Sequence, residues 1–286
     1  MENRFRPEGA VVRFGIGLSL GICLVGALPC AAQRPAVGPR STTVFDPVKE
    51  GYRLAWEDEF EGNVLDRTKW RPRALGPRGP SVVSEDAIHV RDGYLWLEAR
   101  KDAAGRMLAS AVGTQATYQF RYGYIECRAQ TQKSPGVWGA FWIQSDGIAR
   151  GEDPARFGAE IDIMECFRKL GPDIVSHNVH WAYGPNQKST RGMQSTLPGL
   201  STGFHTYAVE WTPDRYTFFV DGMPFHEVTI GISRVPEYLI LSMEYPNDPK
   251  DLARTLFPDV YVVDRVRVWQ RPEPAPAGKA GAPGKR

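Results

Sequence analysis

The amino-acid sequence predicts an all-β protein, a sandwich of two packed sheets, on three observations. Short runs of apolar and aromatic residues recur along residues 52–269. No long stretch with a 3.6-residue period interrupts them. Turn residues punctuate them, and Asp221-Gly222, directly after the run at 216–220, is the strongest hairpin signal. Strands, turns and aromatic side chains at this density are the mark of a sandwich.

Taken in order, the chain of 286 residues opens with Arg4, Arg6 and Arg13, an apolar run over 14–28, and Pro29-Cys30-Ala31-Ala32. This reads as a secretory signal over 1–32. The apolar run is shorter than the ~20 residues a membrane span needs, so the expected product is secreted or periplasmic, with no membrane span once the signal is cleaved. A lipid anchor at Cys30 is the lesser alternative. Residues 33–46, rich in Pro, Arg, Ser and Thr, read as a linker. Residues 47–271 form one domain, and 272–286, made of Pro, Ala, Gly and Lys, cannot bury a core and read as a disordered tail.

Within the domain, the run at 52–56 leads through Trp56-Glu57-Asp58-Glu59-Phe60 into a turn at Glu61-Gly62-Asn63, and 71–80 is a Pro-, Gly- and Arg-rich loop. Strands are expected at 87–90, at 94–99 after the turn Asp92-Gly93, and at 113–118, 122–130 and 137–144. The series continues at 173–181, 205–211, 216–220, 238–245 and 260–269. Lys and Arg number 35 against 33 Asp and Glu, a net charge of +2, so no electrostatic argument points to nucleic acid. A monomer acting on a neutral or only locally charged partner is expected. Removal of the signal leaves Cys127 and Cys166, which suit a disulfide or two small buried hydrophobes equally well.

Chemistry concentrates in Glu160-Ile161-Asp162-Ile163-Met164-Glu165. On a helix Glu160 and Glu165 would lie roughly 140° apart with Asp162 pointing elsewhere. On a strand Glu160 and Asp162 share a face, and one bulged residue near Ile163 or Met164 brings Glu165 to the same side. Three acids on one face cannot all ionise freely, so at least one carboxyl stays protonated near neutral pH. A protonated acid beside an ionised carboxylate is what glycoside hydrolysis requires. An oxygen-rich metal site is the competing reading, although the glycine loop of an EF-hand is missing. In the run 122–130 one face carries Tyr122, Tyr124, Glu126, Arg128 and Gln130. Trp138 and Trp142 share a face of the next strand. Aromatic rings of this kind are what flat sugar faces stack on.

The six-residue motif resembles the catalytic signature of glycoside hydrolase family 16, the laminarinases, lichenases, agarases and carrageenases, in its longer, bulged form. Tyr122-Gly123-Tyr124-Ile125-Glu126-Cys127-Arg128 and Trp138-Gly139-Ala140-Phe141-Trp142 precede it in the family's order. Phe204-His205-Thr206-Tyr207-Ala208-Val209-Glu210-Trp211 and Phe219-Val220-Asp221-Gly222 follow. The resemblance spans residues 52–269. It implies a concanavalin A-like β-jelly roll of two curved antiparallel sheets with a concave substrate cleft. By position, Glu160 is the implied nucleophile, Glu165 the acid/base and Asp162 the assisting acid, with retention of configuration. Glu126, Arg128, Trp138 and His180 are implied to line the sugar site, His177 less so. No cofactor is implied for catalysis, but a structural calcium is, near Glu59, Gly93 and Asp264.

Departures bear on the substrate. Leu239-Ile240-Leu241-Ser242-Met243-Glu244-Tyr245 stands where many laminarinases have an Asn-containing strand, and Glu244 resembles an acid of some galactan-cleaving members. Arg73, Arg78 and Arg156 lie in loops within reach of charged sugars. The expected function is an endo-β-glycosidase acting on a polysaccharide, β-glucan ahead of a marine galactan. A transglycosylase with the same covalent intermediate and a non-catalytic carbohydrate-binding sandwich are the rivals.

Overall fold

The computed structural model describes residues 35–272. The expected signal at 1–32, and the tail beyond its first residue, lie outside the described residues. The architecture is a β-jelly roll of two antiparallel sheets, with the short strand Ser81–Val83 added in parallel to Met107–Gly113.

The first sheet runs in the order Arg71–Pro72, Met107–Gly113, Tyr238–Glu244, Trp138–Gln144, Glu160–Glu165, Ile174–Trp181 and Met193–Thr196. The second runs Ile88–Arg91, Tyr94–Lys101, Asp259–Gln270, Gly123–Gln130, His205–Trp211, Tyr216–Val220 and Met223–Val228. Arg53–Asp58 pairs with the later half of Asp259–Gln270. Side-chain alternation decides what each strand buries. In Gly123–Gln130, Ile125, Cys127 and Ala129 enter the core, and in Tyr238–Glu244 Leu239, Leu241 and Met243 do so. Between the sheets they meet Trp211, Tyr207, Tyr216, Tyr261, Phe141 and Phe218, all buried. The two expected hairpin turns form with both central residues at positive φ, Asp92 and Gly93 at 56° and 77°, Asp221 and Gly222 at 49° and 72°. That is the twist a two-residue hairpin loop favours.

Three expectations change. The strand expected at 113–118 is instead Met107–Gly113, and Thr114 begins a turn whose backbone carbonyl accepts from Thr117 and Tyr118. Small side chains that are buried on both faces of this strand erase the alternation by which it would be seen. The loop 71–80 contains the short strands Arg71–Pro72 and Gly76–Arg78. The described part of the linker is docked on the domain: Val37 bridges to Ser195, and the Phe45 ring stacks on Tyr124 at 4.7 Å. Tyr52, Tyr124 and Phe219 form an apolar patch on the outer face of the second sheet; covering it removes apolar surface from water. Cys127 and Cys166 are buried free thiols, so the small-hydrophobe alternative holds.

The residues at the expected calcium position do not fit the ion. The Asp264 carboxylate accepts from Arg128 Nη1 at 3.0 Å and Arg265 Nη1 at 2.9 Å, and Glu59 from Arg267 Nε at 2.8 Å. Guanidinium groups already neutralise the oxygens that calcium would use. Gly93 serves its hairpin turn.

Candidate active site

The strand Glu160–Glu165 lies inside the first sheet, paired on both sides. Its entry is a tight one. Gly158 has φ of +85°, and a Cβ there would sit 2.0 Å from the Ser145 hydroxyl, so glycine alone suits the turn into the strand. Glu160, Ile161 and Asp162 pair regularly with Gln144, Ile143 and Trp142, after which the register shifts and Glu165 meets Ala140. The same shift appears against the other neighbour, where Glu165 meets Ser176. Consecutive residues Ile163 and Met164 both enter the core, along with Ile161. The expected bulge is therefore present, and Glu160, Asp162 and Glu165 all project from the opposite face.

His177 holds the bulge from the next strand. Its ring is buried, with Nδ1 2.6 Å from the Ile163 carbonyl and Nε2 2.7 Å from Ser195 Oγ. A carbonyl only accepts, so Nδ1 carries the proton and Nε2 accepts from the serine. Burial pulls the His177 pKa down to about 3, against the bond to Ile163, and the ring stays neutral. At the other end of the strand, Gln132 donates from Nε2 to the carbonyls of Val137 and Cys166 and accepts from Gly139 N–H. The middle and the far end of the acid-bearing strand are thus held by buried polar side chains.

The three acids share one electrostatic field. Asp162 is 5% exposed, and Glu160 and Glu165 are half-buried at the cleft surface. Burial, and then the charge of Asp162, push Glu160 up to about 7, against His180, Tyr183 and Gln144. Burial, followed by the charges of Asp162, Glu160 and Glu244, pushes Glu165 well above the usual carboxylate range, with a hydrogen bond from Trp138 opposing. The acids lie close enough that their titrations are linked, so they take up and release protons as a unit. His180 faces them, its Nε2 2.8 Å from Asn178 Nδ2 and 3.4 Å from Asp162 Oδ2. Burial lowers its affinity for a proton, but the hydrogen bond and charge of Asp162 and the charge of Glu160 outweigh it and raise the pKa overall. Glu160, Asp162 and His180 bring one atom each within 4.8 Å of one another.

Residues 80–259 match the family description "Glycosyl hydrolases family 16". The chain belongs to glycosyl hydrolases family 16. It is 34% identical over 181 residues to a β-glucanase of Rhodothermus marinus, across 59% of this chain and 63% of that protein. It is 28% identical to glucan endo-1,3-beta-glucosidase A1 of Niallia circulans, across 69% of this chain and 33% of that one. To the kappa-carrageenase of Pseudoalteromonas carrageenovora it is 27% identical, across 74% and 58%. The chain thus spans a third to under two thirds of these relatives. Among solved structures it superposes on the laminarinase from Rhodothermus marinus with a TM-score of 0.65 at 28% identity, covering 78% of this chain and 98% of that one. SCLam, a non-specific endo-beta-1,3(4)-glucanase, gives a TM-score of 0.65 at 27% identity, covering 83% and 96%.

In this family 16 chain the face carrying the acids also carries Trp138, Trp142 and Gln144, and Ser242 and Glu244 from the strand beyond. Trp138 stands opposite Glu244, and its ring packs on Phe167 with centroids 5.4 Å apart. Trp142 donates from Nε1 to Ser242 Oγ at 3.2 Å. Glu244 binds Arg78, with Nη2 at 2.7 Å. Arg73, Arg78, Ser110, Trp142 and Glu244 line a small recess. Arg156 instead lies on the short helix Pro154–Phe157 with its guanidinium over the Phe157 ring.

Glu126 and Arg128 are not part of this face. They project outward from the second sheet, where Glu126 accepts from Trp269 Nε1 at 3.1 Å and Arg128 binds Asp264 and covers the Phe204 ring. The polar face of their strand is an outer surface, not the cleft. Two groups that the motif reading passed over do belong to the site, namely Gln144, which donates to Glu160 Oε2 at 2.7 Å, and Tyr183, whose hydroxyl also bonds Glu160. Gln144 had a signal in the sequence, since it continues the alternation of Trp138 and Trp142. Tyr183 had none.

Proposed function

We propose that this chain is a secreted, retaining endo-β-glycosidase that cleaves internal β-linkages of a polysaccharide by double displacement. The observation that carries the reading is the bulged strand, with three carboxyl groups on one open face and both glutamates raised above the usual carboxylate range by burial and mutual charge. Glu160, as the carboxylate, attacks the anomeric carbon. Glu165 gives its proton to the departing glycosidic oxygen, and a glycosyl ester on Glu160 results. Water then attacks the anomeric carbon while Glu165 takes a proton from it, the bond from that carbon to the Glu160 oxygen breaks, and the second product leaves with both carboxyls restored. Asp162, between them and next to His180, keeps the charge of the site in step with these transfers. Trp138, Trp142 and Glu244 offer sugar-facing surface. Names of the relatives point to β-1,3- or mixed-linkage glucan, with a marine galactan next.

A product assay on laminarin, mixed-linkage glucan, agar, porphyran and carrageenan, with the first-formed anomer followed by NMR, tests the proposal. Oligosaccharides of mixed length with the β configuration are expected. The α anomer would refute retention, longer products would indicate a transglycosylase, and binding without cleavage would leave a carbohydrate-binding sandwich. Export rests on the apolar run over 14–28; secreted protein still beginning at Met1 would refute cleavage of a signal.

A further inference from the structure

We infer that Gln144 is a positioning residue for the Glu160 carboxylate, and that Arg73 and Tyr238 serve the reaction through Gln144 and not through the sugar. The inference rests on the reading of Glu160 as nucleophile. Four residues stand in one rung across four strands. Tyr238 is opposite Gln144, Gln144 is opposite Glu160, and Glu160 is opposite His180. Alternation points all four to the same face.

A glutamine amide has two ends of nearly equal shape, one accepting and one donating. With its oxygen toward Glu160 it would repel the carboxylate. Here Oε1 accepts from Arg73 Nη2 at 2.9 Å and from the Tyr238 hydroxyl at 2.8 Å. Arginine can only donate, and Tyr238 itself accepts from Arg73 Nη2 at 3.2 Å, so its own proton goes to Gln144. The amide orientation is thereby set, and Nε2–H is left facing Glu160 Oε2 at 2.7 Å. Gln144 is 8% exposed, so water does not compete for these contacts.

Arg73 is placed for this task. Its backbone N–H donates to Ala111 O at 2.9 Å, and its guanidinium lies 5.3 Å from the Trp142 ring centroid and 5.7 Å from that of Tyr238. Among the described residues it makes no ion pair. A guanidinium directly on Glu160 would neutralise the attacking oxygen. Set one amide away, the cation polarises the Gln144 N–H and the carboxylate stays unpaired. Other groups that act on Glu160 are Asp162 on its own strand, His180 and Tyr183 on one side, Glu165 further along, and the buried Glu237 beneath.

A double-mutant cycle on the full chain tests this, using whichever polysaccharide the wild type cleaves. Gln144→Met is expected to lower kcat about 10- to 100-fold with KM within about 2-fold, and to move the acidic limb of the pH profile upward. Arg73→Met is expected to lower kcat by less. The variant carrying both changes should be no slower than Gln144→Met, because residues acting through one group are not additive. Arg73→Lys should recover part of the loss. Should Gln144→Met fail to fold, Gln144→Glu keeps the shape and replaces the donor with an oxygen, and a kcat within 3-fold of wild type would overturn the inference. Multiplying effects, or a raised KM in Arg73→Met, would assign Arg73 to the sugar and overturn it too, with the hydrolase reading intact. A wild type that cleaves nothing removes both.

Discussion

The outer faces of the two sheets carry the same kinds of side chain and treat their acids in opposite ways. On the second sheet arginines meet most of the acids, Glu126 with its Trp269 donor excepted. Asp264 binds Arg128 and Arg265, Glu57 and Glu59 share Arg267, and Glu98 lies near Arg91 and Arg100. On the first sheet Glu160, Asp162 and Glu165 have the Gln144 and Tyr183 donors, the Trp138 N–H and His180, and, among the described residues, no arginine or lysine bridge. Burial without a compensating cation is what raises Glu160 and Glu165, and carboxyls that hold protons near neutrality can move them. Paired acids hold a surface together; unpaired ones are available for chemistry.

The contrast is broken most severely at Glu160. Glu160→Gln is expected to lower turnover about 10³-fold or more while oligosaccharide still binds, as kinetics and calorimetry would show. The same variant carries a stability test. The folded-state pKa of Glu160 is raised to about 7, so the fold favours its protonated form. That contribution is full below the unfolded value near 4.5 and is lost as pH rises through about 7. The neutral amide escapes the loss, so Glu160→Gln should melt higher than wild type at pH 8, by ~2–4 °C, and near wild type at pH 4. Equal melting differences at both pH values would contradict the raised pKa.

A smaller effect is expected at the bulge. His177→Leu leaves the Ile163 carbonyl and the Ser195 hydroxyl without their buried partner, and should cost about 2–4 kcal/mol of stability by denaturant titration. It should also lower kcat, because Glu165 follows the bulge. Wild type itself should lose stability as pH falls from about 6.5 toward the depressed His177 pKa of about 3, and the variant should lose less over that interval. The smallest effect belongs to the second sheet. Arg128→Met should leave kcat/KM within about 2-fold and lower the melting temperature by a few degrees at most. A tenfold loss of activity would return Arg128 to the cleft.

Much of this contrast was legible in the chain, but only part. The motif 160–165 has a single β solution, so the strand, the bulge and the common face of the acids follow from counting residues. The two Asp-Gly turns follow from backbone preference. Glu126 and Arg128 were misplaced because alternation says which side of its own sheet a residue occupies, not which sheet it joins; that depends on pairing with His205–Trp211 and Asp259–Gln270, far along the chain. His177 alternates with Val175 and Val179, an inward position that a histidine occupies only with a partner, and the predicted bulge offered the carbonyl. The Gln144 bonds could not be foreseen, since Arg73 and Tyr238 are 71 and 94 residues away.

A five-residue Glu-x-Asp-x-Glu strand would also set three acids on one face, because alternate positions share it. The sixth residue therefore does something other than align them. A regular strand that slips by two residues keeps its polar and apolar faces and moves every side chain about 7 Å along the sheet. A strand with two consecutive side chains in the core, Ile163 and Met164, and one carbonyl on His177 has no equivalent position to slip to. The bulge is a registration mark. It fixes where along the cleft a glycosidic bond must lie to be cut.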